Sequence, residues 1–267
     1  MTRKSPWEKE WESLLKAEAR FTAKRKDGPT STLLQKLDRV IPKKFSEAIN
    51  KAFFKGFQLV FEKGTSVIEK TYNKKQQQAD FKVEAFASVI HENRKTVRMF
   101  NKKAKAHKAG NLIISFVEGV GLGIFGLAIV DIPIFVAMVL KSVYQVALSF
   151  GYEYDTEEEK IFILRVIQVA MCDEEDFVDG DNEINEAIEY IVRNGDYIPG
   201  WSISKEEQTK ETSDALVREM LYTKAIEKIP VAGVLGGIFD PVYINRITNY
   251  AVLKYRRRFI RSKNILG

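Results

Sequence analysis

Two carboxylates stand almost alone in a long apolar stretch. Between Leu112 and Leu140 the only charged residues are Glu118 and Asp131. A carboxyl group held in apolar surroundings has a raised pKa, which is how general acids are made, so this pair is a candidate hydrolytic or proton-transfer site. The competing reading for Asp131 is a helix N-cap, since Pro133 follows at a tolerated first-turn position. The run 121–126 spells G-x-G-x-x-G, but no strand signal precedes it, and close helix packing explains those glycines better than a dinucleotide. Asp173 to Glu186 resembles a calcium loop in its acids and Gly180. Phe177, however, falls at a ligand position, and a solvated acidic turn leading into a helix is the better reading. Cys172 precedes Asp173, an acidic setting that raises a thiol pKa and argues against a nucleophile. His91 has no second histidine at ligand spacing. No metal site and no cofactor are expected, and no G-x-S-x-G, H-E-x-x-H or P-loop motif points to an enzyme class.

The elements that carry these residues read as helices throughout, so the expected class is all-α. Ser5-Pro6-Trp7-Glu8 has the pattern of a capping box with proline at the first helical position. Trp7, Trp11, Leu14, Leu15 and Ala19 then form one apolar stripe, and Asp27-Gly28-Pro29 ends the helix. Leu33, Leu34, Leu37 and Val40 predict a short helix before Pro42. Phe45, Ile49, Phe53, Phe57, Val60 and Phe61 predict a helix to about residue 70. Phe81, Ala85, Val89, Val97 and Phe100 predict a single amphipathic helix over about 77–106. Two glycine-rich apolar runs follow the same plan. Gly119, Gly121, Gly123 and Gly126 precede Asp131-Ile132-Pro133, while Gly233, Gly236 and Gly237 precede Asp240-Pro241. Each leads into an apolar helical pattern, which predicts two helical hairpins packed through small residues. The expected organisation is an N-terminal amphipathic helix over 1–29, a helical domain over 30–255 and a basic tail over 256–267.

The 267 residues are 45% hydrophobic and 29% charged, an ordinary globular balance that excludes a disordered chain or a coiled-coil rod. One cysteine excludes an intramolecular disulfide and fits a reducing compartment. The start, MTRKSPWEKEW, has no apolar core of the secretory type, so no signal peptide is expected. Charge is unevenly placed. Residues 1–108 hold 26 lysines and arginines against 12 acids, whereas residues 151–219 hold 6 against 20. The C-terminal end is basic again, with Arg256, Arg257, Arg258 and Arg261 interleaved with Tyr255, Phe259 and Ile260. Such a cluster suits an anionic lipid surface, each cation contributing about 1 kcal/mol. No nucleic-acid motif accompanies it, and no nucleic-acid partner is expected. The longest stretch without a charged side chain, Gly119 to Val130, is twelve residues, short of the roughly 20 that a membrane span needs. A buried core, a peripheral or re-entrant membrane contact and a span all stay open for 112–140.

The order Gly126-Leu127-Ala128-Ile129-Val130-Asp131-Ile132-Pro133, then Val146 to Phe150-Gly151-Tyr152, then Glu157-Glu158-Glu159 before Phe162-Ile163-Leu164 resembles the EcsC protein family. Ile229-Pro230-Val231-Ala232-Gly233 resembles that family's C-terminal motif, and Asp240-Pro241 departs from it. The resemblance spans roughly residues 30–255. The family is named for a protein encoded beside an ATP-binding-cassette transporter in bacteria. It implies a cytoplasm-facing protein at the inner face of the cell membrane and carries over no catalytic residues. The expected function is a non-enzymatic accessory or adaptor linked to transport or secretion. Its partner would be anionic lipid or a membrane transporter, with the acidic 153–219 segment facing away or binding a basic partner. The rivals are a hydrolase using Glu118 and Asp131, and a helical lipid-binding protein. Oligomeric state is left open.

Overall fold

The computed structural model describes residues 4–25, 42–106, 131–195, 203–226 and 241–263. Among these the chain is helical with no strand, a single all-α domain. Helix α1 (Pro6–Arg25) opens as its sequence predicts. Glu8 N–H donates to Ser5 Oγ at 3.1 Å, and Ser5 N–H donates back to Glu8 Oε2 at 2.5 Å, so the capping box closes in both directions. Helix α2 (Lys43–Leu59) runs through a π turn at Val60–Gly64 into α3 (Thr65–Glu69).

The region 77–106 is two helices rather than the one expected. Helix α4 (Lys74–Ile90) and helix α5 (Arg94–Ala106) are separated by His91-Glu92-Asn93. Asn93 Oδ1 accepts from Lys95 N–H at 2.9 Å and Thr96 N–H at 3.1 Å, and Thr96 Oγ1 donates to His91 O at 2.7 Å. The asparagine cap starts a new helix, and apolar periodicity on either side hid the break.

Helix α6 (Asp131–Ser149) forms the middle of the domain, packed by α2, α4, α5 and the long C-terminal helix α10 (Pro241–Arg261). Residues Ile132–Ser149 are apolar and long enough to cross a membrane, with a mean hydropathy of 1.7, yet 94% of them are buried inside the protein's own fold. Of the three readings of the apolar run, the buried core describes this portion. Pro133 sits in the first turn of α6, where its missing N–H costs nothing. Phe53 of α2 meets Phe135 edge-on at 6.1 Å, and Gly56 brings the two backbones together, because a Cβ there would lie 3.4 Å from Val136 Cγ2.

Three further helices, α7 (Glu157–Met171), α8 (Glu174–Asn194) and α9 (Lys205–Ile226), complete the domain, with α7 between α9 and α10. Asp173 caps α8, accepting from Asp176 N–H at 3.2 Å. The acidic run 173–186 is therefore cap and helix, and among the described residues no group of acids, histidines or cysteines is placed to hold a metal ion. Of the expected boundaries, residue 30 lies outside the described residues. Helix α1 packs on α10, and residues 256–261 belong to α10 rather than to a tail. Phe259 joins the two ends of the chain, lying 5.9 Å from Trp7, 4.7 Å from Phe100 and 5.9 Å from Phe150.

The Phe150-Gly151-Tyr152 element has a mechanical explanation. Gly151 has a φ of +82°, and a Cβ there would overlap the Phe81 ring. Only glycine satisfies both demands. Gly151→Ala is expected to destabilise the domain by about 2–4 kcal/mol, combining left-handed strain with overpacking, as read from urea unfolding.

Candidate functional site

The arginines expected to meet lipid are instead committed to the interior. Arg256 Nη2 donates to Glu10 Oε1 at 2.6 Å, and Arg258 Nη1 donates to Glu159 Oε2 at 2.6 Å. Arg257 forks onto Glu18 at 3.0 and 2.6 Å while lying over Trp11. Arg261 reaches Glu189 Oε2 at 2.8 Å. Lys254, fully buried, sits 2.7 Å from Asp181 and donates to Asn185 Oδ1 at 2.8 Å. The assignment of Arg256, Arg257, Arg258 and Arg261 to an anionic surface is thus corrected. Leaving such guanidinium groups in an apolar interior without carboxylates would cost several kcal/mol each, and α1, α7 and α8 supply the carboxylates.

This also revises the acidic segment, part of which faces inward. Glu159, Asp181 and Glu189 serve α10, Glu219 pairs with Arg246 of α10, and Glu183 and Glu211 hold Arg165. Burial works against the charge on Arg258, but Glu159 and the hydrogen bond to it outweigh that and leave its pKa raised. Tyr255 donates to the other oxygen of Glu159 at 2.6 Å. Its own pKa is driven well up by burial and then by that carboxylate, so it stays a donor. The sequence did carry a signal for this arrangement. Glu10 and Glu18 fall inside the α1 stripe marked by Trp7, Trp11 and Leu14, and an acid in an apolar stripe needs a buried cation.

A second polar cluster ties α3 and α4 to the connection after α6. Tyr154 OH donates to Glu69 Oε1 at 2.6 Å and lies 2.6 Å from Tyr72 OH; Lys74 Nζ reaches the same Glu69 oxygen at 3.0 Å. Lys74 also sits 4.3 Å above the Tyr154 ring, and Tyr144 stacks on its other side at 4.0 Å. Burial pushes the Tyr72 phenol to about 12 and Tyr154 higher still. These phenols therefore stay protonated near neutral pH, as hydrogen-bond donors that clamp the helices rather than as bases.

The remaining candidates fall mostly outside the described residues: Glu118, Gly119, Gly121, Gly123, Gly126, Gly233, Gly236 and Gly237, and with them the two glycine-rich hairpins. Asp131 is the first residue of α6. His91 lies exposed in the α4–α5 connection. Burial first, then Asp176 and Asp173, pushes the Cys172 thiol up to about 12, as its acidic neighbours suggested.

What the interior does not use is a surface on the α4–α5 hairpin. Val83, Phe86, Val89 and Ile90 are 68%, 68%, 79% and 55% exposed. At helical spacing these four make one apolar arc of α4, with Lys75 and Lys82 inside it. Val89, expected on the buried face, belongs to this arc. Lys103 of α5 pairs with Asp80 and with the buried Glu84, on the side of α4 away from this arc. The hairpin thus exposes an apolar strip of α4 that carries Lys75 and Lys82, and a separate basic face of α5 bearing Arg94, Lys95, Arg98, Met99 and Lys102.

The EcsC protein family model matches residues 8–260, nearly all of the chain. The chain belongs to the EcsC protein family. Its match begins in α1 and ends in α10, so the two helices joined by the buried ion pairs both lie within the EcsC unit. The chain is also 28% identical over 149 residues to the Uncharacterized protein YdbA of Bacillus subtilis (strain 168), an alignment covering 53% of this chain and 50% of that protein. It thus spans about half the length of that curated relative. No solved structure matches it.

Two outcomes are expected from this geometry. Arg258→Met should cost about 3–5 kcal/mol in denaturant unfolding by stranding Glu159, and Glu159→Gln in the same chain should recover part of that loss. Cys172 should react with a thiol reagent at pH 8 at least about 100-fold more slowly than a free thiol, since a pKa of about 12 leaves few thiolates.

Proposed function

We propose that this EcsC protein is a non-enzymatic accessory protein that docks the α4–α5 hairpin on the anionic inner face of a bacterial membrane. The observation that carries the reading is the exposed arc Val83, Phe86, Val89 and Ile90 with Lys75 and Lys82 among them, on a hairpin whose second helix exposes a basic face. An apolar helix face flanked by lysine and arginine is the form taken by helices that lie in the plane of a bilayer interface. Burying a large apolar side chain contributes about 1.5–3 kcal/mol, and each nearby cation adds about 1 kcal/mol at an anionic surface. The mechanism remains electrostatic attachment with apolar insertion. Its seat moves from Arg256–Arg258 to the hairpin.

The membrane partner we favour is an ATP-binding-cassette transporter, supported by the transporter encoded beside the protein for which the family is named. The interior, occupied by α6 and α10, would serve to hold the docking face rigid.

Sedimentation with phosphatidylglycerol-containing vesicles tests the reading. The wild-type protein should bind them, release with added salt, and bind pure phosphatidylcholine weakly, because shortening the Debye length weakens surface attraction. Phe86→Glu with Val89→Glu should reduce binding at least about ten-fold with helical content unchanged, both side chains being exposed. Equal binding by that variant, or equal binding to neutral vesicles, would overturn the docking face.

A further inference from the structure

Two cavities run together along the seam between α1 and α5. The larger, of about 620 Å³, takes Arg94, Lys95, Arg98 and Lys102 from α5 and Glu10 and Ser13 from α1. The smaller, of about 230 Å³, takes Lys9, Lys16 and Arg20 from α1, together with the acid Glu12. Ser13 and Arg94 line both, so they mark the junction.

The groove gathers unpaired cations, in contrast to α10. Every cation that α10 buries has a carboxylate, as described above. Of the seven cations along the groove, only Arg98 has an ion pair among the described residues, with Nε 3.8 Å from Glu10 Oε2. The acids nearby are already engaged. Glu10 Oε1 accepts from Arg256 at 2.6 Å, and Glu12 pairs with Lys4. A concave site with several uncompensated cations raises the local concentration of anions and holds them by charge-assisted hydrogen bonds.

The number and arrangement of the cations select among anions. One phosphate, with three or four oxygens, engages part of one cavity. Two phosphate groups would place one in each, with the planar Arg94 guanidinium donating to oxygens of both and the Ser13 hydroxyl between them. Met99, half in the larger cavity, offers an apolar edge toward α4.

We propose that the α1–α5 groove binds an anion carrying two phosphate groups, presented by a lipid headgroup or as a free diphosphate. This rests on the membrane reading only for the lipid source, because the groove's chemistry is independent of the α4 arc.

Calorimetry on the full chain at fixed ionic strength tests it, with inorganic diphosphate and orthophosphate as probes. Diphosphate should bind at least about ten-fold tighter than orthophosphate, and Arg94→Gln with Lys16→Gln should lose about ten-fold, each factor being one charged hydrogen bond in size. Lys102→Gln should weaken binding in the same direction. The charge-matched pair Lys44→Gln and Lys210→Gln, on α2 and α9, should bind as the wild type does. No diphosphate binding, equal affinity for the two anions, or equal loss in the charge-matched control would overturn the proposal. Vesicles containing cardiolipin, with two phosphates per headgroup, are then compared with phosphatidylglycerol vesicles of matched charge. A cardiolipin preference removed by Arg94→Gln with Lys16→Gln supports the lipid source; diphosphate binding without that preference supports the free one. Failure of vesicle binding alone, with diphosphate bound, removes the membrane reading and leaves the groove.

Discussion

A cation taken out of water has to meet a carboxylate, and α10 carries five of them into or against the interior. Lys254, Arg256, Arg257, Arg258 and Arg261 face α1, α7 and α8, and each of those helices presents an acid where one is needed: Glu10 and Glu18, Glu159, then Asp181 and Glu189. Mismatching any pair leaves a buried charge, a penalty larger than the burial of one more apolar side chain can offset. This makes the packing of α10 specific in register and rotation. An apolar helix of the same length would slide with little penalty.

The same constraint divides the charge of the chain into two populations. The acidic middle and the basic end look in sequence like separate attachment surfaces, yet part of each pairs with the other where α7 and α8 pack on α10, through Glu159–Arg258, Asp181–Lys254 and Glu189–Arg261. Lys9, Lys16 and Arg20 of α1, Lys75 and Lys82 of α4, and Arg94, Lys95 and Lys102 of α5 make no ion pair among the described residues, whereas Lys74, Arg98 and Lys103 do. Charge asymmetry along a chain therefore has two physical meanings, internal assembly and external attraction, and burial separates them. Here Arg256 and Arg258 belong to the first group, Lys95 and Lys102 to the second.

Tyrosines and glycines do the fine positioning. Tyr250, Tyr255 and Tyr154 each donate to a carboxylate that also serves a lysine or arginine, so Asp181, Glu159 and Glu69 each have more than one partner. Gly151 lets the chain turn sharply after α6 under the Phe81 ring, and Gly180 lets α8 approach α7, where a Cβ would lie 2.7 Å from Val169 Cγ2. The Phe150-Gly151-Tyr152 element by which the family is recognised is thus part of the scaffold. Phe150 packs on Phe259, and Tyr152 lies beneath the Arg258 guanidinium at 4.2 Å.

Much of the helical plan was legible because it depends on local rules. The capping box at Ser5–Glu8, the acidic turn leading into a helix at 173–186 and the 3.6-residue apolar period need only neighbours within one or two turns. The all-α class and the raised Cys172 thiol were read from such short-range patterns, and the family from a resemblance of motifs. The division at Asn93 was missed because apolar spacing continued across it. What only the tertiary structure decided is where each charged side chain ends up. Arg256 and Lys95 are both cations beside other cations within a helix, and no local rule tells them apart. Their environments differ because α1 places Glu10 against Arg256, 246 residues away in the chain, while the face of α5 bearing Lys95 is left to solvent. Charge burial depends on partners remote in sequence, and that is settled by packing alone.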